Sequence, residues 1–336
     1  LVNVKRKYSS LVTGNVIVVV AMKKTHQGFI LLTMAAIVVM GVWFAGCTTP
    51  TTPAPPEKEK VLLATTTSLY DTGLLDYLKP MFEEQYNVDL LITSQGTGKA
   101  LEIASRGDAD VLAVHSPAQE KTYMDSGKGL NHRCFAYNYF IIVGPESDPA
   151  GIRGMEPVAA FTKLYELGTA GIPDVVFISR GDNSGTHSKE KSIWATAGYN
   201  YTTDIQKSGA WYVEAGRGMG ETLQLANEKQ AYTLSDEGTY LAYKGDLDLV
   251  PVIDQGDILL NVYSVITVYS DKFTPEEIAA ANNFVDFMIS PEVQDTIGTF
   301  GVDKYGKNLF TPMSGQCSQF SCDCTSPATE TAPAAA

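Results

Sequence analysis

Basic residues are in short supply in this chain: 25 lysines and arginines stand against 38 aspartates and glutamates, a formal charge of -13 over 336 residues. That balance excludes unspecific nucleic-acid binding, which rests on neutralising phosphates. Histidine is scarcer still, at four residues. His115, His132 and His187 show no metal-ligand spacing, so no metal site is expected in the body. No solenoid-period repeat is present either. Charge is absent from Gly28 to Gly46, and no acid precedes Cys47, so the rest of the chain is more acidic than the total implies. With 44% apolar and 19% charged residues, the chain is neither collagen-like nor a coiled coil and can bury one large or two ordinary domains.

The uncharged stretch follows Met22-Lys23-Lys24 and ends Phe44-Ala45-Gly46-Cys47. Residues 22–47 therefore have the basic start, apolar middle and small-residue end of a secretory signal. The Gly46-Cys47 pair resembles a lipobox, which implies a lipidated Cys47. Phe44 stands where that motif has an aliphatic residue, and an uncleaved signal anchor is the alternative. Either way the body is expected outside the cytoplasm, anchored at the outer face of the cytoplasmic membrane. Residues 48–60 are Pro-rich and extended, a linker. The last stretch, 317–336, is rich in Ser, Thr, Pro and Ala and is expected to be disordered, although it holds Cys317, Cys322 and Cys324. A disulfide among these is the expectation in an oxidising exterior, with a metal-thiolate tail as the sharper alternative. Cys134, opening a strand, reads as a buried hydrophobe.

Between linker and tail, apolar strands alternate with amphipathic helices. Strands are expected at 61–64, 88–93, 111–114, 135–143, 175–178, 231–234, 249–253 and 262–268. Helices are expected at 74–86, 99–105, 117–124, 157–167, 188–197, 222–228, 275–288 and 291–300. This βα alternation argues an α/β fold with mainly parallel sheets flanked by helices. The expected organisation is lobe, lobe, return: 61–145 with 259–316 as lobe I and 146–258 as lobe II, the ligand cleft between them.

Three segments carry chemistry, each between a strand end and a helix start, where open α/β sheets hold ligands. Thr65-Thr66-Thr67-Ser68 offers four consecutive hydroxyls, more than a helix cap requires. Gln95-Gly96-Thr97-Gly98-Lys99 is a Gly-rich helix start that lacks the full phosphate-loop pattern, so a nucleotide triphosphatase is not expected. Ser179-Arg180-Gly181-Asp182-Asn183-Ser184-Gly185-Thr186-His187 is the most specific. Its guanidinium supplies a fork for a tetrahedral oxyanion, and small residues let backbone N–H groups approach. Arg217, in Gly216-Arg217-Gly218, is either a second anion ligand or a solvated charge, the solvated reading being preferred. The competing class is an exported serine hydrolase using Ser184 and a histidine, although triad members usually come from separated segments.

Together these segments, with Gly107-Asp108-Ala109-Asp110-Val111, His115-Ser116-Pro117, Gly218-Met219-Gly220-Glu221-Thr222-Leu223 and Tyr232-Thr233-Leu234-Ser235-Asp236, resemble the TupA-type tungstate-binding proteins of ABC importers, within the periplasmic binding protein class. The resemblance runs from about Val61 to about Gln316. It implies a type II two-lobed fold that closes on tungstate, delivery to an ABC permease subunit, a monomer, no catalysis and no cofactor. It maps the anion contacts to Thr67, Ser68, Thr97, Arg180, Ser184 and Thr186, with Thr65, Thr66 and Arg217 as further candidates. A molybdate, phosphate or sulfate receptor of the same fold is the alternative within the class.

Overall fold

The structure, a computed structural model, describes residues 58–313. The signal segment 22–47 with Cys47, nearly all of the linker and the tail 317–336 lie outside the described residues. The chain opens with β1 (Glu59–Thr66), α1 (Thr67–Asp71), α2 (Leu74–Tyr86), β2 (Val88–Gln95) and α3 (Thr97–Ser105). It continues through β3 (Val111–Val114), α4 (Pro117–Asp125) and the 16-residue β4 (Gly129–Gly144). Next come α5 (Pro157–Thr169), β5 (Phe177–Ser179), α6 (Gly185–Thr196), β6 (Tyr212–Glu214), α7 (Met219–Lys229), β7 (Tyr232–Asp236), α8 (Glu237–Tyr243) and β8 (Val250–Ile253). The return is β9 (Leu260–Val268), α9 (Pro275–Met288), α10 (Pro291–Thr299), α11 (Val302–Tyr305) and β10 (Thr311–Pro312).

The strands run in the order β2-β1-β3-β9-β4-β7-β5-β6, with β8 and β10 also pairing β4. β3 reads Val-Leu-Ala-Val and is buried at all four positions, as a strand covered on both faces requires. β4 is long because it serves two sheets: Gly129 to Tyr139 pair with β9, and Phe140 to Gly144 pair with β7 and β8. Parallel pairing, expected to predominate, joins β1 with β2 and β3 and β5 with β6 and β7. Each antiparallel pair contains β4 or β9, because a strand leaving one half and another returning to it run in opposite senses.

Each half has its own core. Leu63, Phe82, Val111, Tyr263 and Phe284 pack in the first, where the Phe82 and Phe284 rings meet edge-on at 5.0 Å. Phe161, Phe177, Trp194 and Tyr232 pack in the second, with Phe161 4.5 Å from Trp194. Burying such a ring contributes roughly 2–3 kcal/mol, which fixes the strand that presents Arg180. One sequence expectation is corrected here. Cys134 is buried but is not a free hydrophobe; it is disulfide-bonded, and its partner cysteine lies outside the described residues.

Candidate functional site

The three chemistry-bearing segments converge where the two halves meet. Gly96 precedes α3, and a Cβ there would stand 3.2 Å from the Asp182 carbonyl. The Gly98 N–H donates to the Asn183 carbonyl at 3.2 Å. Gly185, the first residue of α6, approaches His115 so closely that a Cβ would lie 2.7 Å from the His115 carbonyl. Gly218, which precedes α7, sits against Thr67. The N-termini of α3, α6 and α7 thus open onto one region, each bringing N–H groups without intrahelical partners and a partial positive charge.

Hydrogen-bond accounting separates the hydroxyls. Thr65 Oγ1 donates to the Ala113 carbonyl at 2.8 Å, and Thr66 Oγ1 caps α1 by accepting from Leu69 N–H. Ser68 Oγ is 2.9 Å from His115 Nε2. Thr67 Oγ1 accepts from Arg180 Nη2 at 3.1 Å, which leaves its own proton uncommitted. Ser184 Oγ accepts from His187 N–H, again keeping its proton. Thr97 and Thr186 are buried, and neither hydroxyl has a partner among the described residues. Arg217 is exposed.

Arg180 is 1% exposed, yet its Nε and Nη1 meet no acceptor among the described residues. Its Nη2 donates to Thr67 and to Asp182 Oδ2, while Asp182 Oδ1 accepts the Ser184 N–H. Asp182 therefore holds both the guanidinium and the loop. A buried donor without a partner costs about 1–3 kcal/mol, more when charged. Several such donors on loops that approach one another suit an acceptor-rich ligand.

Sequence reading did not single out Ser116, whose buried hydroxyl also lacks a partner among the described residues. Its position was the available signal: it follows β3 and precedes α4, as Thr67 follows β1 and Thr97 follows β2. Asp236 was missed as well. It caps α8 through Thr239 N–H and is fully buried, which pushes its carboxyl up to about 6 against the pull of Arg180.

The hydrolase alternative needs a histidine ring on Ser184. His187 instead accepts Asn183 N–H at Nδ1 and meets Tyr201 at Nε2. No histidine ring hydrogen-bonds Ser184 Oγ among the described residues.

Two sheets joined by exchanged strands, with loops from both enclosing partnerless donors, define a two-lobed binding protein. The chain belongs to the PBP superfamily: the sequence model of the PBP superfamily domain matches residues 50–292. The chain is 40% identical over 287 residues to the tungstate-binding protein TupA of Peptoclostridium acidaminophilum, covering 83% of this chain and 96% of that one. The crystal structure of the tungstate ABC transporter from Geobacter sulfurreducens superposes with a TM-score of 0.63 at 40% identity, covering 72% of this chain and 99% of that one. The tungstate-binding protein TupA from Desulfovibrio alaskensis G20 superposes with a TM-score of 0.59 at 41% identity, covering 76% and 98%.

Proposed function

We propose that this chain is the substrate-binding protein of an ABC importer that captures tungstate between two lobes and hands it to a membrane permease. The observation that carries this reading is the set of buried donors without acceptors: Arg180 Nε and Nη1 and the Thr97 and Thr186 hydroxyls. Thr67 and Ser184, whose protons are uncommitted, complete a side-chain donor set, and the N-termini of α3, α6 and α7 add backbone N–H groups. Ser116 is a further candidate. The set contains donors from both halves, as the expected division into 61–145 with 259–316 and 146–258 requires.

Physics favours this use over catalysis. A tetrahedral dianion loses its hydration when buried, and only many fixed donors offset that loss. The same donors cost stability while unmet, so the arrangement is of use only to a protein that binds. Selectivity then rests on cavity fit, because tungstate, molybdate and sulfate share charge and shape.

The Cys134 disulfide supports an extracytoplasmic location, since such bonds persist in oxidising compartments. Anchoring through a lipidated Cys47 and action as a monomer complete the reading.

Calorimetric competition among tungstate, molybdate, sulfate and phosphate on the folded body is the direct test. Tungstate is expected to displace the others. Failure of tungstate to bind, or preference for phosphate, overturns the assignment.

A further inference from the structure

The four hydroxyls of residues 65–68 look interchangeable in sequence, but a chain of buried side chains sets them apart. It begins at the Leu309 carbonyl, which can only accept. Asn138 Nδ2 donates to it at 3.3 Å, so Asn138 Oδ1 must be the acceptor facing Asn261, whose Nδ2 donates at 2.9 Å. Asn261 Nδ2 also donates to the Tyr263 hydroxyl, which leaves Asn261 Oδ1 to face His115 Nδ1 at 2.9 Å. His115 Nδ1 therefore carries the proton and Nε2 accepts. The group opposite Nε2 is Ser68 Oγ, at 2.9 Å. Every member from Asn138 to Ser68 is buried, so a reversed orientation would leave buried polar atoms facing like atoms.

We propose that His115 is a positioning residue of the anion site: locked as its Nδ1–H tautomer by this one-way relay, it takes the single proton of the Ser68 hydroxyl and so reserves Thr67 as the donor of the run. The proposal rests on the anion-binding reading and deepens it. Ser68 Oγ accepts from Thr66 at 3.3 Å as well as donating to His115, which fixes the rotamer on either side of Thr67. The relay runs through Asn138 of β4 and Asn261 of β9, the strands that link the halves, so the loop that carries Thr67 is registered to those strands and not to its own helix alone.

The order Ser68, His115, Asn261 is that of a nucleophile, a base and its orienting group. Burial argues against that use: the three are at most 2% exposed, and desolvation holds the His115 ring down to about 4, leaving a weak base. Positioning is the role the geometry leaves.

Nitrogen-detected NMR of ring-labelled, folded protein tests the tautomer without any variant. His115 is expected as neutral Nδ1–H at pH 7, both free and saturated with tungstate, while His187, which accepts at Nδ1, shows the opposite Nε2–H form. An Nε2–H or doubly protonated His115 overturns the relay, even if tungstate binds tightly. Failure of tungstate to bind with His115 in its Nδ1–H form sinks the transport reading and leaves the relay standing. On affinity, Thr67→Val is expected to cost about 10- to 100-fold, as for one charge-assisted bond, and Ser68→Ala under about threefold. Equal losses overturn the proposal. In Asn261→Asp protein the added carboxylate should charge the ring, turn Nε2 into a donor and free the Ser68 proton, so that Ser68→Ala made in that background costs more than it does alone. Ester hydrolysis that disappears in Ser68→Ala protein also overturns it.

Discussion

Arg180 is buried as completely as the leucines of the core, and a guanidinium so placed is costly unless its N–H groups are met. Asp182 and Thr67 meet one nitrogen, and in the proposed site the anion meets the others. Arg180→Lys keeps the charge and loses the fork, so it should weaken tungstate binding by about tenfold or more while the protein stays folded. Undiminished affinity by calorimetry would remove the fork from the account. Behind the loop, Glu190 accepts from Ser179, Trp194 and Tyr212, and burial raises its carboxyl to about 7. Stability from that group is complete below the unfolded value near 4.5 and is lost as pH rises through 7. His115 and His187, each held down to about 4 by desolvation, act the other way: their contribution is present above 6.5 and lost as pH falls toward 4. The opposing slopes partly cancel in the parent protein. Glu190→Gln removes one of them, so its stability relative to the parent should rise between pH 4.5 and 7, by at most about 1.4 kcal/mol per pH unit. Urea unfolding at pH 5 and pH 8 measures this, and a difference that does not change with pH would contradict a raised Glu190.

At the level of elements, the start of α6 meets the end of β3 with no room for a side chain at Gly185. Alanine suits an α-helix better than glycine does, so if the halves part in the ligand-free protein and relieve the contact, Gly185→Ala should leave its thermal stability nearly unchanged. Its Cβ would collide with the His115 carbonyl, which cannot swing aside, and tungstate affinity should drop by roughly tenfold or more if losing this approach loses one charged contact. Unchanged affinity would show that the site forms without that approach. The elements themselves were largely readable: α2, β3 and α9 have the expected limits, because each is bounded by strong local signals such as Gly73, Asn87 and the Thr274 capping box. α1 and β6 were not read, being only five and three residues long and without a periodic pattern of their own. The strands β4 and β9 were read, but their antiparallel pairing was hidden, since strand partners are set by distant segments. The site divided in the same way. Its segments were legible from clustered hydroxyls, glycines and one arginine. Which hydroxyl stays free was not, because Thr65 and Ser68 are claimed by Ala113 and His115, some 47 to 48 residues away.

For the molecule as a whole, two long-range constraints matter, one covalent and one reversible. Cys134 packs with Met313, whose N–H donates to the Phe135 carbonyl, and Cys317 follows four residues later, within about 14 Å of extended chain. The expected disulfide is therefore Cys134 to Cys317. Chymotryptic cleavage after Phe320 separates Cys317 from Cys322 and Cys324, so non-reducing mass spectrometry should find the Cys134 peptide joined to the one ending at Phe320; linkage to another cysteine would refute the pairing. The reversible constraint, in the proposed binding cycle, is closure. Arg180 to Thr67, Gly98 to Asn183 and Gln119 to Ser188 all cross from one half to the other. Such polar contacts contribute about 0.5–1.5 kcal/mol each after desolvation, and Arg180 crosses with two of its nitrogens, Nε and Nη1, unmet. The protein alone thus holds the halves together weakly, whereas an anion touching Thr67 and Thr97 on one side and Arg180, Ser184 and Thr186 on the other has contacts that exist only when they meet. Differential affinity of that kind shifts the population toward the closed form. Small-angle scattering should accordingly show a smaller radius of gyration on adding tungstate, and Arg180→Ala protein should show none of the change at the same concentration. Tight binding by the parent with an unaltered radius would mean that the site is complete before the ligand arrives.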